Sequence, residues 1–158
     1  MSRRAVPTGD ELQFVVFRLG ERELAFSITQ VERILQHEQP APWPEGPRFI
    51  EGLLPFGDGT VPLLDLRRRT GLNSASREEA RTMVLVTETL PLAVVVDQVM
   101  EVLRVDTRTI QQAKSEVPGL PPDVAGGLIE WAGRSIMILN AARLLPSAER
   151  QALSEALR

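Results

Sequence analysis

GLLPFGDGTVPLLDL, residues 52–66, sets three glycines and two prolines between two apolar runs. Two readings compete for it: a glycine loop that cradles a phosphate, or a tight turn between two strands. Gly52 and Gly57 have the first spacing of a Walker loop, but Asp58 stands where that loop needs lysine. TVPLLDL follows, strand-like and interrupted by Pro62, where a phosphate loop would open a helix. An aspartate also repels phosphate, and no G-x-G-x-x-G fingerprint is present. The stretch therefore reads as a hairpin, with strands near 49–54 and 60–66 and Asp-Gly chemistry in the turn 56–59.

Working outward, residues 13–19 (QFVVFRL) and 23–26 form a first hairpin around Gly20. Ser27-Ile-Thr-Gln30 has the form of a capping box. Ile28, Val31, Ile34 and Leu35 then fall on one face of a short amphipathic helix ending near Gln36. Four prolines between 40 and 47 hold an extended connection around Trp43. Residues 67–81 are polar and turn-rich, 83–87 and 92–96 make another hairpin, and Asp97 caps a short helix through Val102. After an irregular connection over 111–126, segments 129–131 and 135–139 pair. Ser147 caps a closing helix with Leu153 and Leu157 at i, i+4 spacing.

The chain repeats itself. LAFSITQVERIL (24–35) lies over LAVVVDQVMEVL (92–103), and GLLPFGDGTVPLLD (52–65) over GLIEWAGRSIMILN (127–140). The second pair sets Phe56 against Trp131 and Asp65 against Asn140. Both matches run in the same order, so the chain holds two similar subdomains of about five short strands each, few enough to close as small barrels.

Composition narrows the function. The chain has 158 residues, 43% hydrophobic and 25% charged, with a formal charge of −3 and no cysteine. Disulfides, thiolate nucleophiles and cysteine metal sites drop out. The start, MSRRAVPTGDE, has no apolar segment of the secretory kind, and the longest apolar run, 92–96, is far short of a membrane span. A soluble, intracellular domain is expected. His37, the only histidine, reads as a surface residue at a helix C-terminus. No G-x-S-x-G elbow is present; Asp58, Asp65, Asp97 and Glu101 are accounted for as turn, strand-end and cap residues, which leaves a carboxylate enzyme as a remote alternative. Arg67-Arg68-Arg69 lacks a surrounding basic stripe, and aromatics are 4%. A solvated strand end or an acidic protein partner fits it better than nucleic acid. Trp43 and Trp131 are candidate interface anchors, with core packing the better reading for Trp131.

These residues together resemble the CheW-like domain family. FVVFRLGERELAFSITQVERIL is similar to its opening strands and V-x-E-[IV] motif. FIEGLLPFGDGTVPLLDLRRRTGL resembles its G-[VI]-x-N-L-R-G-x-[VI]-x-P-x-x-D-L block, LAVVVDQVMEV its V-D-x-V-x-E-V segment, and GGLIEWAGRSIMILNAARLL its closing strands. The resemblance implies a mainly β fold, two intertwined SH3-like five-stranded β-barrels sharing a core, with short helices and a C-terminal helix. The expected organisation is a flexible N-terminus over 1–11, one domain of two pseudo-repeated barrels over 12–146, and a helix over 147–158. The family further implies a non-catalytic, cytoplasmic adaptor of a chemosensory two-component pathway, with no metal or cofactor and no nucleic acid or membrane insertion. Its partners would be the cytoplasmic tips of methyl-accepting chemoreceptors and the regulatory domain of a CheA-type histidine kinase. An alternative is a relative that binds only receptor or only kinase.

Carried over by position, the receptor-side residues are Val31, Arg33, Ile34, Gly52, Phe56, Gly57 and Asp58, and Asp65 matches the Asp of P-x-x-D-L. Two positions depart from the family. Its Glu in V-x-E-I is Arg33, and its N-L-R-G reads Pro55-Phe56-Gly57-Asp58, so its arginine is Gly57. A charge reversal beside a lost cation alters partner choice more than fold.

Overall fold

The computed structural model describes residues 10–72, 78–88, 90–114 and 117–158; most of the expected flexible N-terminus falls outside them. Among the described residues ten strands follow one another: β1 Glu11–Leu19, β2 Arg22–Ser27, β3 Val31–Gln36, β4 Gly52–Phe56, β5 Gly59–Asp65, β6 Arg81–Leu85, β7 Leu92–Val96, β8 Gln98–Asp106, β9 Ala125–Trp131 and β10 Arg134–Leu139. Helix α1, Leu66–Thr70, follows β5, and α2, Ser147–Ala156, closes the chain.

The strands form two five-stranded sheets, ordered β9-β10-β2-β1-β8 and β3-β6-β7-β5-β4. The second order, read backwards, is the first with each strand replaced by its partner in the sequence repeat. The halves are nevertheless exchanged: each sheet takes two strands from one half and three from the other. The exchange needs parallel contacts, β10 with β2 (Ile136↔Glu23) and β5 with β7 (Leu63↔Ala93), among otherwise antiparallel ladders.

One isolated bridge draws the ends of each sheet together. Ala41 pairs with Leu53 in one and Gln111 with Leu128 in the other, and Leu53 and Leu128 are repeat partners. The residue before each, Gly52 or Gly127, explains a conserved spacing within the chain itself. A Cβ on Gly52 would fall on the Ala41 carbonyl oxygen, and one on Gly127 would lie 2.6 Å from Ile110 Cγ2. Both glycines therefore serve the close approach that shuts the sheets.

Alternation sorts the core. Phe14, Val16, Ala25, Ile129 and Ile136 fill one sheet, and Leu54, Val61, Leu63, Val84 and Ala93 the other. Val15, Phe17, Leu24, Phe26, Met83 and Leu85, pointing the opposite way, build the larger core between the sheets. There the Phe17 and Phe26 rings stack with centroids 5.0 Å apart.

Both short helices expected after the repeated Leu-Ala segments are strands instead. Ile28–Gln30 is a single 3-10 turn, and β3 begins at Val31; Asp97 leads directly into β8. Each strand carries a bulge at the same repeat position. The β3–β6 register slips between Val31 and Arg33, leaving Glu32 extra, and the β1–β8 register skips Met100. The extra residue returns Val31 and Ile34 to one face at i, i+3, the spacing that imitates a helix. The capping-box bonds also differ. Ser27 Oγ accepts from the Thr29 amide at 3.3 Å, and Gln30 reaches across the chain, donating to Asn140 Oδ1 and accepting from the Ala141 amide, each at 3.2 Å. It thereby fastens the point where the chain passes from one sheet to the other. Asp97 does the same at the second passage, its Oδ2 accepting from the Gly20 amide at 2.6 Å.

The repeat-paired Asp65 and Asn140 do equivalent work. Asp65 Oδ1 accepts from the Arg67 amide and Asn140 Oδ1 from the Ala142 amide, both at 3.0 Å, capping α1 and the 3-10 turn Ala141–Arg143. Ser147 is not a cap; it is the first residue of α2, behind Pro146. Leu153 is fully buried against the central core, whereas Leu157 is exposed.

Candidate functional site

The site residues drawn from the sequence gather around the two edge strands of the second sheet, β3 and β4. Val31 and Ile34 share the face of β3 whose neighbours in β6, Leu85 and Met83, belong to the central core. Val31 packs there, while Ile34 is 41% exposed. Arg33 faces the opposite way, beside Val84 of the inner core of this sheet. Its guanidinium carbon stands 5.8 Å from the Phe56 ring centroid. Arg33 thus reaches across the seam between β3 and β4 in a cation–π contact, which leaves its charge unneutralised.

Gly57 and Asp58 form the two-residue loop joining Phe56 to Gly59, and both are exposed. Gly57 has φ of +60°, so the loop uses the freedom of its first glycine; the expected Asp58-Gly59 turn is one residue out of register. Gly52 is buried at the far end of β4 and shapes the seam without touching its surface. Along the seam lies a groove of about 280 Å³, lined by Leu35, Gln36, Glu38, Leu54 and Pro55.

Other candidates resolve differently. The arginine triplet is not a free basic patch. Arg67 pairs with Asp65 at 2.9 Å, Arg68 with Glu51 at 2.7 Å, and Arg69 with Glu149 of α2. Burial pushes the Asp65 carboxyl up, but the Arg67 guanidinium and the amides of Arg67 and Arg68 outweigh it and hold the carboxyl below its ordinary value. His37 follows a strand, not a helix, and is half-buried with Nδ1 3.3 Å from Thr82 Oγ1. Desolvation first, then nearby Arg67, lowers its pKa against the opposing pull of Asp65. The tryptophans exchange roles: Trp43 packs against the central core, and Trp131 is 37% exposed at the β9–β10 turn.

Sequence reasoning missed the repeat image of this site. Glu101 occupies the Arg33 position on β8, an edge strand of the first sheet, and Arg134 at the start of β10 joins it to Glu23 of β2, at 2.7 Å to each. The signal was present, since Arg33 and Glu101 align in the repeat, but helical readings of both segments hid the seams. Among the described residues no cluster of three or more His, Cys, Asp or Glu is placed to hold a metal, and no helix is long and apolar enough to cross a membrane.

Comparison with known proteins agrees with this architecture. The chain is 24% identical over 162 residues to chemotaxis protein CheW of Treponema pallidum, covering 98% of this chain and 95% of that one. It is 26% identical to chemotaxis protein CheW of Rhizobium meliloti, covering 89% and 91%. The crystal structure of the scaffolding protein TtCheW from Thermoanaerobacter tengcongensis superposes with a TM-score of 0.77 at 22% identity, over 94% of this chain and 96% of that one. The profile of the CheW-like domain matches residues 13–149, from β1 into α2 and so across both exchanged sheets: the chain belongs to the CheW-like domain family.

Proposed function

We propose that this protein is a chemotaxis adaptor that couples the cytoplasmic tips of chemoreceptors to a CheA-type histidine kinase by protein contacts, without catalysis, in the cytoplasm. The observation that carries this reading is the family match over residues 13–149, which takes in both sheets and both seams. The domain proposed is residues 12–146 with α2 docked on it. The receptor-side surface proposed is the β3–β4 edge: Val31, Arg33 and Ile34 from β3, with Phe56, Gly57 and Asp58 at the hairpin and Gly52 supporting it. The Arg33 guanidinium beside the groove of Leu35, Leu54 and Pro55, with Ile34 exposed on the other face of β3, suits a modest, specific contact.

Titration of the purified protein against receptor-tip fragments and the kinase regulatory domain of the same organism tests the proposal. Binding to both at micromolar concentrations is expected; binding to neither at tens of micromolar would refute it. A one-sided adaptor, holding receptor or kinase alone, is favoured by Arg33 and Gly57, which replace the polar groups of the family motifs. Receptor-dependent control of kinase activity in a reconstituted array would dismiss that second reading.

A further inference from the structure

The two seams differ in one chemical respect. In the first sheet the arginine that reaches the β8 edge, Arg134 at the start of β10, is satisfied inside the molecule by Glu23 and Glu101. In the second, Arg33 rests on Phe56 and forms no ion pair among the described residues. Glu32 lies on its own strand, Glu38 two residues past that strand's end and Asp58 on the facing hairpin, yet none of them pairs with it. Arg33 is exposed, its guanidinium stands over the ring, and among the described residues no hydrogen bond takes up its donors. Beside it the groove offers Leu35, Leu54 and Pro55 as apolar lining.

We infer that Arg33 is a specificity-determining residue whose partner is a carboxylate of the receptor tip, presented next to an apolar side chain that enters the β3–β4 groove. This deepens the proposed function and rests on it. Three points favour an acidic occupant. The side chain is a cation, its planar fork matches a carboxylate in two-point contact, and the arginine beside the other seam, Arg134, is held by two carboxylates. With no cation at Gly57, positive charge at the hairpin end of the seam is supplied by Arg33 over Phe56.

The experiment titrates native protein, Arg33→Glu and Arg33→Lys against one receptor-tip fragment, with the kinase regulatory domain titrated in parallel. Arg33→Glu is expected to weaken tip binding about tenfold or more and leave kinase binding unchanged. Arg33→Lys should retain part of the affinity. One carboxylate-to-lysine variant of the tip should restore binding to Arg33→Glu. The inference is overturned if Arg33→Glu binds the tip within about twofold of native, if kinase binding falls equally, or if no carboxylate exchange on the tip restores affinity. A native protein that binds no tip at all would instead bring down the adaptor reading, and this inference with it.

Discussion

The two seams are the most instructive pair of regions in the molecule. They lie at matched positions of an internal repeat, follow matched bulges at Glu32 and Met100, and close next to matched glycines, Gly52 and Gly127. Their side chains then diverge. Beside the first-sheet seam an ion triad, Glu23–Arg134–Glu101, ties β2 and β10 to the β8 edge, and the β9–β10 hairpin carries Trp131. Among the described side chains the second-sheet seam is bridged by Arg33 over Phe56, and its hairpin is Gly57–Asp58. Duplicated backbone geometry thus supports one seam with its charges satisfied internally and one with a cation held ready. Fold and recognition are separable here, because the backbone devices are shared and the polar groups are not.

The largest expected effect probes what the seams share. Gly52→Ala drives a Cβ into the backbone carbonyl of Ala41, which cannot swing aside, and should cost about 2–4 kcal/mol. Gly127→Ala meets chiefly the Ile110 side chain, which can yield, but it also forces alanine to φ of +139°; about 1–3 kcal/mol is expected. Denaturant unfolding of the two variants measures the order, and a neutral Gly52→Ala would break the claim that these glycines close the sheets.

The paired caps come next. Asp65→Ala removes a cap and an ion pair together and should cost about 2 kcal/mol, against about 1 kcal/mol for Asn140→Ala, read from the same unfolding curves. Because the folded-state pKa of Asp65 lies below its ordinary 3.8, its contribution is present above that value and lost as pH falls through the folded pKa. The Asp65→Ala deficit should therefore shrink in strong acid.

Replacing the seam arginines sharpens the contrast directly. Arg134→Ala leaves Glu23 and Glu101 facing each other without a cation and should lower Tm. Arg33→Ala should leave Tm nearly unchanged, since Arg33 is exposed and bound only to a ring. Equal losses would mean that both seams are structural latches.

The smallest effect belongs to His37. Its folded pKa lies below 6.5, so the unfolded chain takes up the proton more readily as pH drops. Stability is full above 6.5 and declines as pH falls toward the folded value. Melting curves should show a shallow Tm loss below pH 6.5 that His37→Gln abolishes; an unchanged slope in that variant would exclude His37 as the cause.

Much of the architecture was legible from residue order. The repeat, the hairpin 52–66, and the shared roles of Asp65 and Asn140 follow from local spacing, and local spacing is what turns and caps obey. Residues 27–36 and 97–102 misled for a physical reason: a bulge resets strand alternation so that Val31 and Ile34, or Val99 and Val102, share a face at helical spacing. Trp131 misled because the repeat preserves its backbone position, not its burial; its partner Phe56 is partly buried, while Trp131 stands exposed at a turn. The exchange of strands between halves also escapes local pattern, since one of the two parallel contacts it depends on joins β2 and β10, more than 100 residues apart. Within the candidate site, motif position indicated Arg33 and Phe56 separately, but their contact arises only when the sheet closes and brings its two edge strands together.

The adaptor role is tested most directly by co-sedimentation of the CheA-type kinase with receptor-bearing membranes of the same organism, with and without this protein. The account predicts that kinase enters the membrane pellet in proportion to added protein. Kinase that sediments equally in its absence, or never sediments in its presence, would contradict it.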